Sequence, residues 1–389
     1  MATRARTIDT EAAVHQRYGA AAQTVEAALC CPVDYDPRYL ARIPQEIRDR
    51  DYGCGDTSRY VHAGDTVLDL GSGAGKICYI AAQIVGRNGR VIGVDFNGEM
   101  LALARKYRRE MAKTLGYDVV EFHRARIQDL ALPLDAVDAW LAANPVKSSD
   151  DLARLEEMQA RLRDTTPLIA DESVDVILSN CVLNLVGEGA REQLFREMFR
   201  VLKRGGRVAI SDIVSDEVVP DALKRDPELW SGCIAGAFQE ARFLQAFEHA
   251  GFHGVTLEKY DEKPWRTVRG VEFRSATVTA RKGKQGPCWE RNQAVIYKGP
   301  WKKVEDDDGH VLVRGERMAV CDKTYHILTA APYASETIAV APLKDIPLAR
   351  AKPFDCGQSA VRHPAETKGK RYKKTEAAAA LCGPDGSCC

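Results

Sequence analysis

Three cysteines stand in small, polar surroundings far apart in the chain. Cys54 lies in Tyr52-Gly53-Cys54-Gly55, Cys181 in Ser179-Asn180-Cys181-Val182, and Cys233 in Ser231-Gly232-Cys233-Ile234. A thiolate is a soft ligand, and three of them gathered beside a cofactor make a pocket for a soft, thiophilic substrate. No local motif groups them. Only a fold can bring them together.

A glycine loop supplies the fold. Val67-Leu68-Asp69-Leu70-Gly71-Ser72-Gly73-Ala74-Gly75 reads as an apolar strand ending in a tight turn, and Lys76 to Val85 has helical periodicity. Glycines let such a turn bend sharply and approach a ligand closely. A second strand, Arg90 to Val94, ends in Asp95, about 20 residues past the loop, where nucleotide-binding βαβ units bond ribose hydroxyls. Two details favour S-adenosylmethionine over a dinucleotide. Asp69 can meet a ligand ammonium, directly or through the loop amides of Gly71, Ser72, Gly73 and Gly75, but would repel a pyrophosphate. Phe96-Asn97-Gly98-Glu99-Met100 suits an adenine pocket with Met100 as a flexible apolar wall. After a third strand, Val119 to Phe122, Ile127 stands where a further adenine contact is expected. Tyr52 and Asn180 complete the cofactor-binding candidates, Asn180 as a strand-end amide placed to bond the cofactor's amino-acid moiety.

The chain has 389 residues and no net formal charge. That length allows two or three domains with full cores. Balanced charge gives no argument for nucleic acid or an anionic membrane. Met1 to Tyr18 lacks the apolar core of a signal peptide, and no apolar run is long enough to span a bilayer. A cytoplasmic monomer is expected. Twelve cysteines in that compartment argue for metal, metalloid or thiol chemistry rather than a disulfide framework. Cys78, within the helix after the loop, reads as a buried small hydrophobe.

The expected fold class is α/β: a doubly wound, Rossmann-like sheet with an antiparallel edge and a small β-rich C-terminal module. Residues 1–62 form an N-terminal helical arm and lid, with helices over Thr10–Leu29 and Tyr39–Arg48. Residues 63–282 form the cofactor-binding domain. Its strands are Thr66–Leu70, Arg90–Val94, Val119–Phe122, Ser173–Ser179, Arg207–Asp212, Val255–Tyr260 and Phe273–Thr279, the last two antiparallel at one edge. An insertion at about 134–171 carries one helix, near Asp151 to Leu162, capped by Ser148-Ser149-Asp150. Residues 283–350 are the β-rich module, with short strands at 295–297, 311–313, 318–320 and 325–328. Residues 351–389 read as a flexible, Cys-terminated tail.

Taken together, these residues resemble the arsenite S-adenosylmethionine methyltransferases. The resemblance rests on Cys30-Cys31-Pro32, the Cys54 segment, the glycine loop and Ser179-Asn180-Cys181-Val182-Leu183-Asn184-Leu185. It continues through Val201 to Arg207, Ser211-Asp212-Ile213, Gly232 to Ala237 and the stretch from Tyr297-Lys298-Gly299-Pro300 to Cys321-Asp322-Lys323-Thr324, and so covers most of the chain. The glycine loop is common to many methyltransferases, and the three cysteine contexts make the match specific. The segment 134–171 is longer than the family pattern. The resemblance implies methyl transfer to trivalent arsenic held by Cys54, Cys181 and Cys233, with a thiol reductant of thioredoxin or glutathione type as a further requirement. Such chemistry needs no general base, because the arsenic lone pair is the nucleophile. The protein must desolvate and align the reactants.

Plainer readings compete. Cys181 follows an apolar strand, so a buried structural thiol competes as its lesser reading, and a turn cap competes for Asn180. Cys30 and Cys31 divide between a relay dithiol and a packing pair, and Cys388 and Cys389 between a metalloid-capturing tail and an incidental terminus. Cys288, Cys321 and Cys356 have no readable role, and His123 and His326 read as ordinary polar residues. A methyltransferase of an organic molecule would share the glycine loop and Asp95 but needs a catalytic acid or base rather than three thiols. A thiol-rich binding protein is the other rival, although the Cys-x-x-Cys spacing usual for zinc is absent.

Overall fold

A computed structural model describes residues 10–26, 29 and 33–368. The chain divides into two units, Met1–Lys282 and Gly283–Cys389. In the first, strands β1 (Thr66–Leu70), β2 (Arg90–Asp95), β3 (Val120–Arg124), β4 (Val174–Asn180), β5 (Leu202–Ser215), β6 (Phe238–Gln239), β7 (His253–Tyr260), β8 (Arg266–Val268) and β9 (Val271–Arg281) alternate with helices. The helices are α1 (Thr10–Gln23), α2 (Pro37–Leu40), α3 (Gln45–Asp49), α4 (Lys76–Val85), α5 (Gly98–Leu115), α6 (Leu134–Ala143), α7 (Ser149–Thr165), α8 (Arg191–Val201), α9 (Asp221–Lys224), α10 (Pro227–Ser231) and α11 (Glu240–His249).

The main sheet runs β3-β2-β1-β4-β5-β9-β7. β3 to β5 are parallel, and β9 lies antiparallel between β5 and β7. The expected α/β fold with an antiparallel edge is therefore present. Strand order reverses between β1 and β4, and a ligand crevice forms outside the carboxyl ends at such a point. Two apolar layers cover the sheet. One contains Val67, Cys78, Ile80, Leu101 and Leu178, the other Leu68, Leu70, Ile177, Phe243 and Phe247.

Three helical expectations need correction. The first helix ends at Gln23 rather than Leu29, because side chains take its last carbonyls: Tyr52 Oη donates to Ala21 O at 3.0 Å and an Arg50 nitrogen to Gln23 O at 3.0 Å. The helix expected over Tyr39–Arg48 splits into α2 and α3 at Pro44, whose ring restrains the residue before it from helical backbone. The segment 134–171 carries two helices. They share a small core of Leu134, Val137, Trp140, Leu155 and Met158 that also packs Phe96, which ties this excursion to the crevice wall.

In the second unit, β11 (Ala294–Tyr297) pairs with β14 (Arg317–Ala319) and β15 (Thr337–Val340). β12 (Lys303–Glu305) and β13 (Val311–Val313) form a hairpin, and β10 (Trp289–Glu290) pairs with β16 (Lys352–Pro353). The strand expected at 325–328 is instead part of α12 (Asp322–Leu328). Cys321 caps that helix, and Thr324 and Leu328, four apart, are its buried positions. Residues 351–368, expected in the tail, include β16 and α13 (Pro364–Lys368). The buried Arg362 pairs with Glu290 at 2.8 Å and Glu366 at 3.0 Å. Cys30, Cys31, Cys382, Cys388 and Cys389 lie outside the described residues. Among the described residues, no helix is long and apolar enough to cross a membrane.

Candidate active site

The crevice at the β1–β4 reversal is lined by Tyr52, Asp69, Gly71, Ser72, Gly73, Asp95, Phe96, Met100, Ile127, Asn180 and Cys181. Every expected cofactor contact is therefore on its wall except Gly75, which acts behind it. Gly75 is the left-handed N-cap of α4, at φ 85°. A Cβ there would strike the Phe122 ring at 2.8 Å, so only glycine lets the loop turn against the sheet.

The loop is organised by the acid at the end of β2. Gly73 N–H donates to Asp95 Oδ2 at 2.8 Å, and Asn97 N–H to Oδ1 at 2.8 Å. Burial raises the Asp95 carboxyl from its ordinary value, against the pull of these backbone donors. Asp69 is buried more deeply, and burial pushes its carboxyl up to about 7. The Cys78 thiol donates to it, 3.2 Å from Oδ2. Cys78 is thus both the core residue expected and a partner of the crevice acid.

Asn180, on the crevice wall, also holds the Cys54 loop. Its Oδ1 accepts from Cys54 N–H at 2.7 Å and Gly55 N–H at 3.1 Å, and its Nδ2 donates to Gly55 O at 2.5 Å. The amide fastens the Cys54 loop to the end of β4, and its Nδ2 also donates to Tyr35 Oη at 3.2 Å. A Cβ on Gly53 would collide with Asn180, and one on Gly55 with Ser211. Both glycines flanking Cys54 therefore mark close backbone approach. Asn180→Ala leaves two loop N–H groups without their acceptor, at about 1–3 kcal/mol each if they stay buried. The expected outcome is a fall in turnover of roughly tenfold or more with a smaller change in cofactor affinity, measured by kinetics and calorimetry on one preparation. A loss falling wholly on cofactor affinity would leave Asn180 with the role of cofactor ligand alone.

The three cysteines converge. Cys54 and Cys181 are joined as a disulfide with Cα atoms 5.9 Å apart. The Cys233 thiol donates to Cys181 O at 3.3 Å, and all three lie in one buried cluster with Ile213, Ile234 and Phe273. Cys181 and Cys233 have positive φ, 58° and 61°. Non-glycine residues in this region cost about 1–3 kcal/mol each and persist where the surroundings impose them, characteristically at functional sites.

Sequence reasoning expected an N-terminal arm and lid but singled out none of the α1 residues along this cleft. Glu11, Val14, His15 and Tyr18 of α1 line it. Their i, i+3, i+4, i+7 spacing is the signal that could have found them. Arg126 binds Glu11 through two nitrogens at 2.9 and 3.0 Å, and Asn97 Nδ2 donates to His15 O at 3.1 Å. Tyr18 Oη lies 4.0 Å from Cys233 Sγ. Burial, reinforced by Cys233, holds the Tyr18 hydroxyl well above its ordinary pKa. It keeps its proton and is no base. Of the two histidines read as ordinary, His123 stands 3.4 Å from Glu121 and His326 3.5 Å from Asp322; neither lines the cleft.

A family described as a methyltransferase domain matches residues 61–164 and 147–251, and one described as a domain of unknown function matches residues 284–372. An arsenite methyltransferase of Aquipseudomonas alcaligenes is 31% identical over 344 residues, covering 82% of this chain and 88% of that protein. The arsenite methyltransferase of Homo sapiens is 26% identical over 367 residues, covering 90% and 86%. The crystal structure of CrArsM, an arsenic(III) S-adenosylmethionine methyltransferase from Chlamydomonas reinhardtii, aligns with a TM-score of 0.53 at 25% identity, covering 84% of this chain and all of that one.

Proposed function

This chain belongs to the arsenite methyltransferase family, and from that premise we propose that Cys54, Cys181 and Cys233 hold trivalent arsenic while the adjoining crevice holds S-adenosylmethionine. One observation carries the reading. Three cysteines 127 and 52 residues apart in sequence meet in one buried cluster, and the middle one also lines the crevice. A structural thiol needs neither a left-handed backbone nor two cysteine neighbours.

The residues present fit the cofactor. Asp95 faces the crevice from the end of β2, Phe96, Met100 and Ile127 give it an apolar wall, and Asp69 gives it an acid beside the glycine turn. When bound, S-adenosylmethionine supplies a sulfonium methyl, which the arsenic lone pair takes as the C–S bond breaks toward sulfur, so no proton has to be removed. The thiolates fix the direction of that lone pair, and α1 covers the crevice against water. Methylation leaves arsenic two electrons more oxidised. Closing Cys54 onto Cys181 breaks two As–S bonds, forms one S–S bond and returns both electrons to arsenic, which keeps its methyl and Cys233 and takes hydroxide from water as its third ligand, the proton leaving to solvent. The disulfide in this structure is the state such a step leaves behind. A reductant of thioredoxin or glutathione type then reopens it, which suits a reducing compartment such as the cytoplasm.

The test is direct. Incubation with arsenite, S-adenosylmethionine and a thiol reductant should give methylated arsenic on separation of the arsenic species. Methylation of neither arsenite nor a methylarsenical would overturn the proposal.

The acid at the glycine turn predicts a pH dependence. Asp69, with its carboxyl at about 7, is largely neutral at pH 6 and largely ionised at pH 8. If the ionised form meets the ligand ammonium, cofactor affinity rises with pH by at most about tenfold per unit below 7 and levels off above it. Stability of the free protein runs the other way. The native state holds this proton more tightly than the unfolded chain, so stability falls as pH rises from about 4 to about 7. Calorimetry and thermal melts at pH 6 and 8 should show a larger cofactor-induced rise in Tm at pH 8. A pH-independent affinity would remove Asp69 from the ammonium site.

A further inference from the structure

The methyl-transfer pocket does not use Cys288, Cys321 and Cys356. The three are 33 and 35 residues apart in sequence, yet their sulfurs all lie within 4.8 Å of one another. None is in a disulfide. Each is placed by a different part of the β-rich unit. Cys288 directly precedes β10, and Phe354 N–H donates to its carbonyl at 2.9 Å, extending the β10–β16 ladder by one step. Cys356 follows two residues beyond Phe354. Cys321 is fully buried at the N-cap of α12, where its sulfur lies 3.4 Å from Thr324 N and 3.2 Å from Thr324 Oγ1. Cys288 and Cys356 are half-buried, which leaves an approach from solvent.

We propose that Cys288, Cys321 and Cys356 form a second three-thiol site, in the β-rich unit, that binds trivalent arsenic. The number of donors argues for this occupant. Three thiolate sulfurs about 2.3 Å from a common ion lie at most about 4.0 Å from one another, and these three already stand within 4.8 Å. The group contains no fourth histidine, cysteine or carboxylate among the described residues. A structural zinc site closes with four protein ligands, whereas trivalent arsenic needs three sulfurs around its lone pair. Binding is an exchange without redox change: three S–H and three As–OH bonds become three As–S bonds and three waters. The choice of arsenic over another three-coordinate thiophile rests on the arsenic reading of the first unit. The existence of the site does not.

The test counts bound arsenic on the full chain, reduced, desalted, equilibrated with arsenite without S-adenosylmethionine and passed over a sizing column. Cys288→Ser/Cys356→Ser, at the two half-buried positions, should lose one arsenic per chain relative to wild type. Cys181→Ser/Cys233→Ser should lose a different one, and the fourfold variant both. X-ray absorption on Cys181→Ser/Cys233→Ser should still show arsenic bound by three sulfurs. A single Cys356→Ala variant with unchanged Tm and cofactor affinity guards against misfolding as the cause. Wild-type arsenic content in Cys288→Ser/Cys356→Ser would overturn the site. Zinc, purified with the chain at one equivalent and lost in that variant, would overturn the arsenic assignment. A wild type that binds arsenic at this cluster but methylates none would refute the proposed activity while leaving the second site standing.

Discussion

Cys181→Ser and Cys233→Ser should each bring arsenite methylation to background while S-adenosylmethionine still binds. Serine nearly matches cysteine in shape, but its hydroxyl does not ionise near neutral pH and its oxygen is hard, so it is a poor ligand for trivalent arsenic. Loss of residues that merely support metal ligands costs about 10–100-fold, and loss of a ligand should exceed that. Cys54→Ser separates the roles further. It should block arsenite but spare a single methyl transfer onto an arsenical that already carries one methyl and needs one fewer sulfur. Arsenic speciation gives the activity and calorimetry the cofactor affinity. Full arsenite activity in either the Cys181 or the Cys233 variant would refute the three-thiolate pocket.

Asp95→Ala should weaken S-adenosylmethionine binding by about 1.5–3 kcal/mol, roughly 10–150-fold, the range for hydrogen bonds to an ionised group. Two effects combine. The ribose loses its acceptor, and the N–H groups of Gly73 and Asn97 lose theirs, so the turn loses its anchor as well. Asp95→Asn retains one side-chain acceptor and should fall between alanine and wild type. Calorimetry reads the affinity and a thermal melt the fold. An unchanged affinity for Asp95→Ala would take this residue out of the cofactor site.

Elements governed by local pattern were legible in the sequence. The strand, glycine turn and helix from Thr66 to Val85 were readable because each signal lies within a few residues of the next, and the antiparallel edge because no helix separates its strands. What depended on distant partners was not. That Asn180 fastens the Cys54 loop was not legible, because that loop lies 126 residues away. The end of α1 was misplaced because Arg50 and Tyr52, not a local breaker, take its carbonyls. Tyr325 to Leu328 carried the aromatic and branched residues of a strand, yet the Cys321 cap and the buried Thr324 and Leu328 make it helical. Cys288, Cys321 and Cys356 were silent because three single cysteines announce nothing until a ladder and a helix cap bring them together.

The Cys54–Cys181 bridge joins points 127 residues apart. In the chain-entropy account, closing so long a loop removes on the order of 5 kcal/mol of freedom from the unfolded chain. Reduction returns that freedom. Durability and readiness for work are therefore opposed in this protein: a preparation stored oxidised should outlast one stored reduced, and heat should inactivate it fastest after reduction and before substrate arrives. In the proposed three-thiolate site, arsenic bound across Cys54 and Cys181 would span the same two segments and restore the crosslink, so the substrate would extend the working lifetime of the enzyme that consumes it.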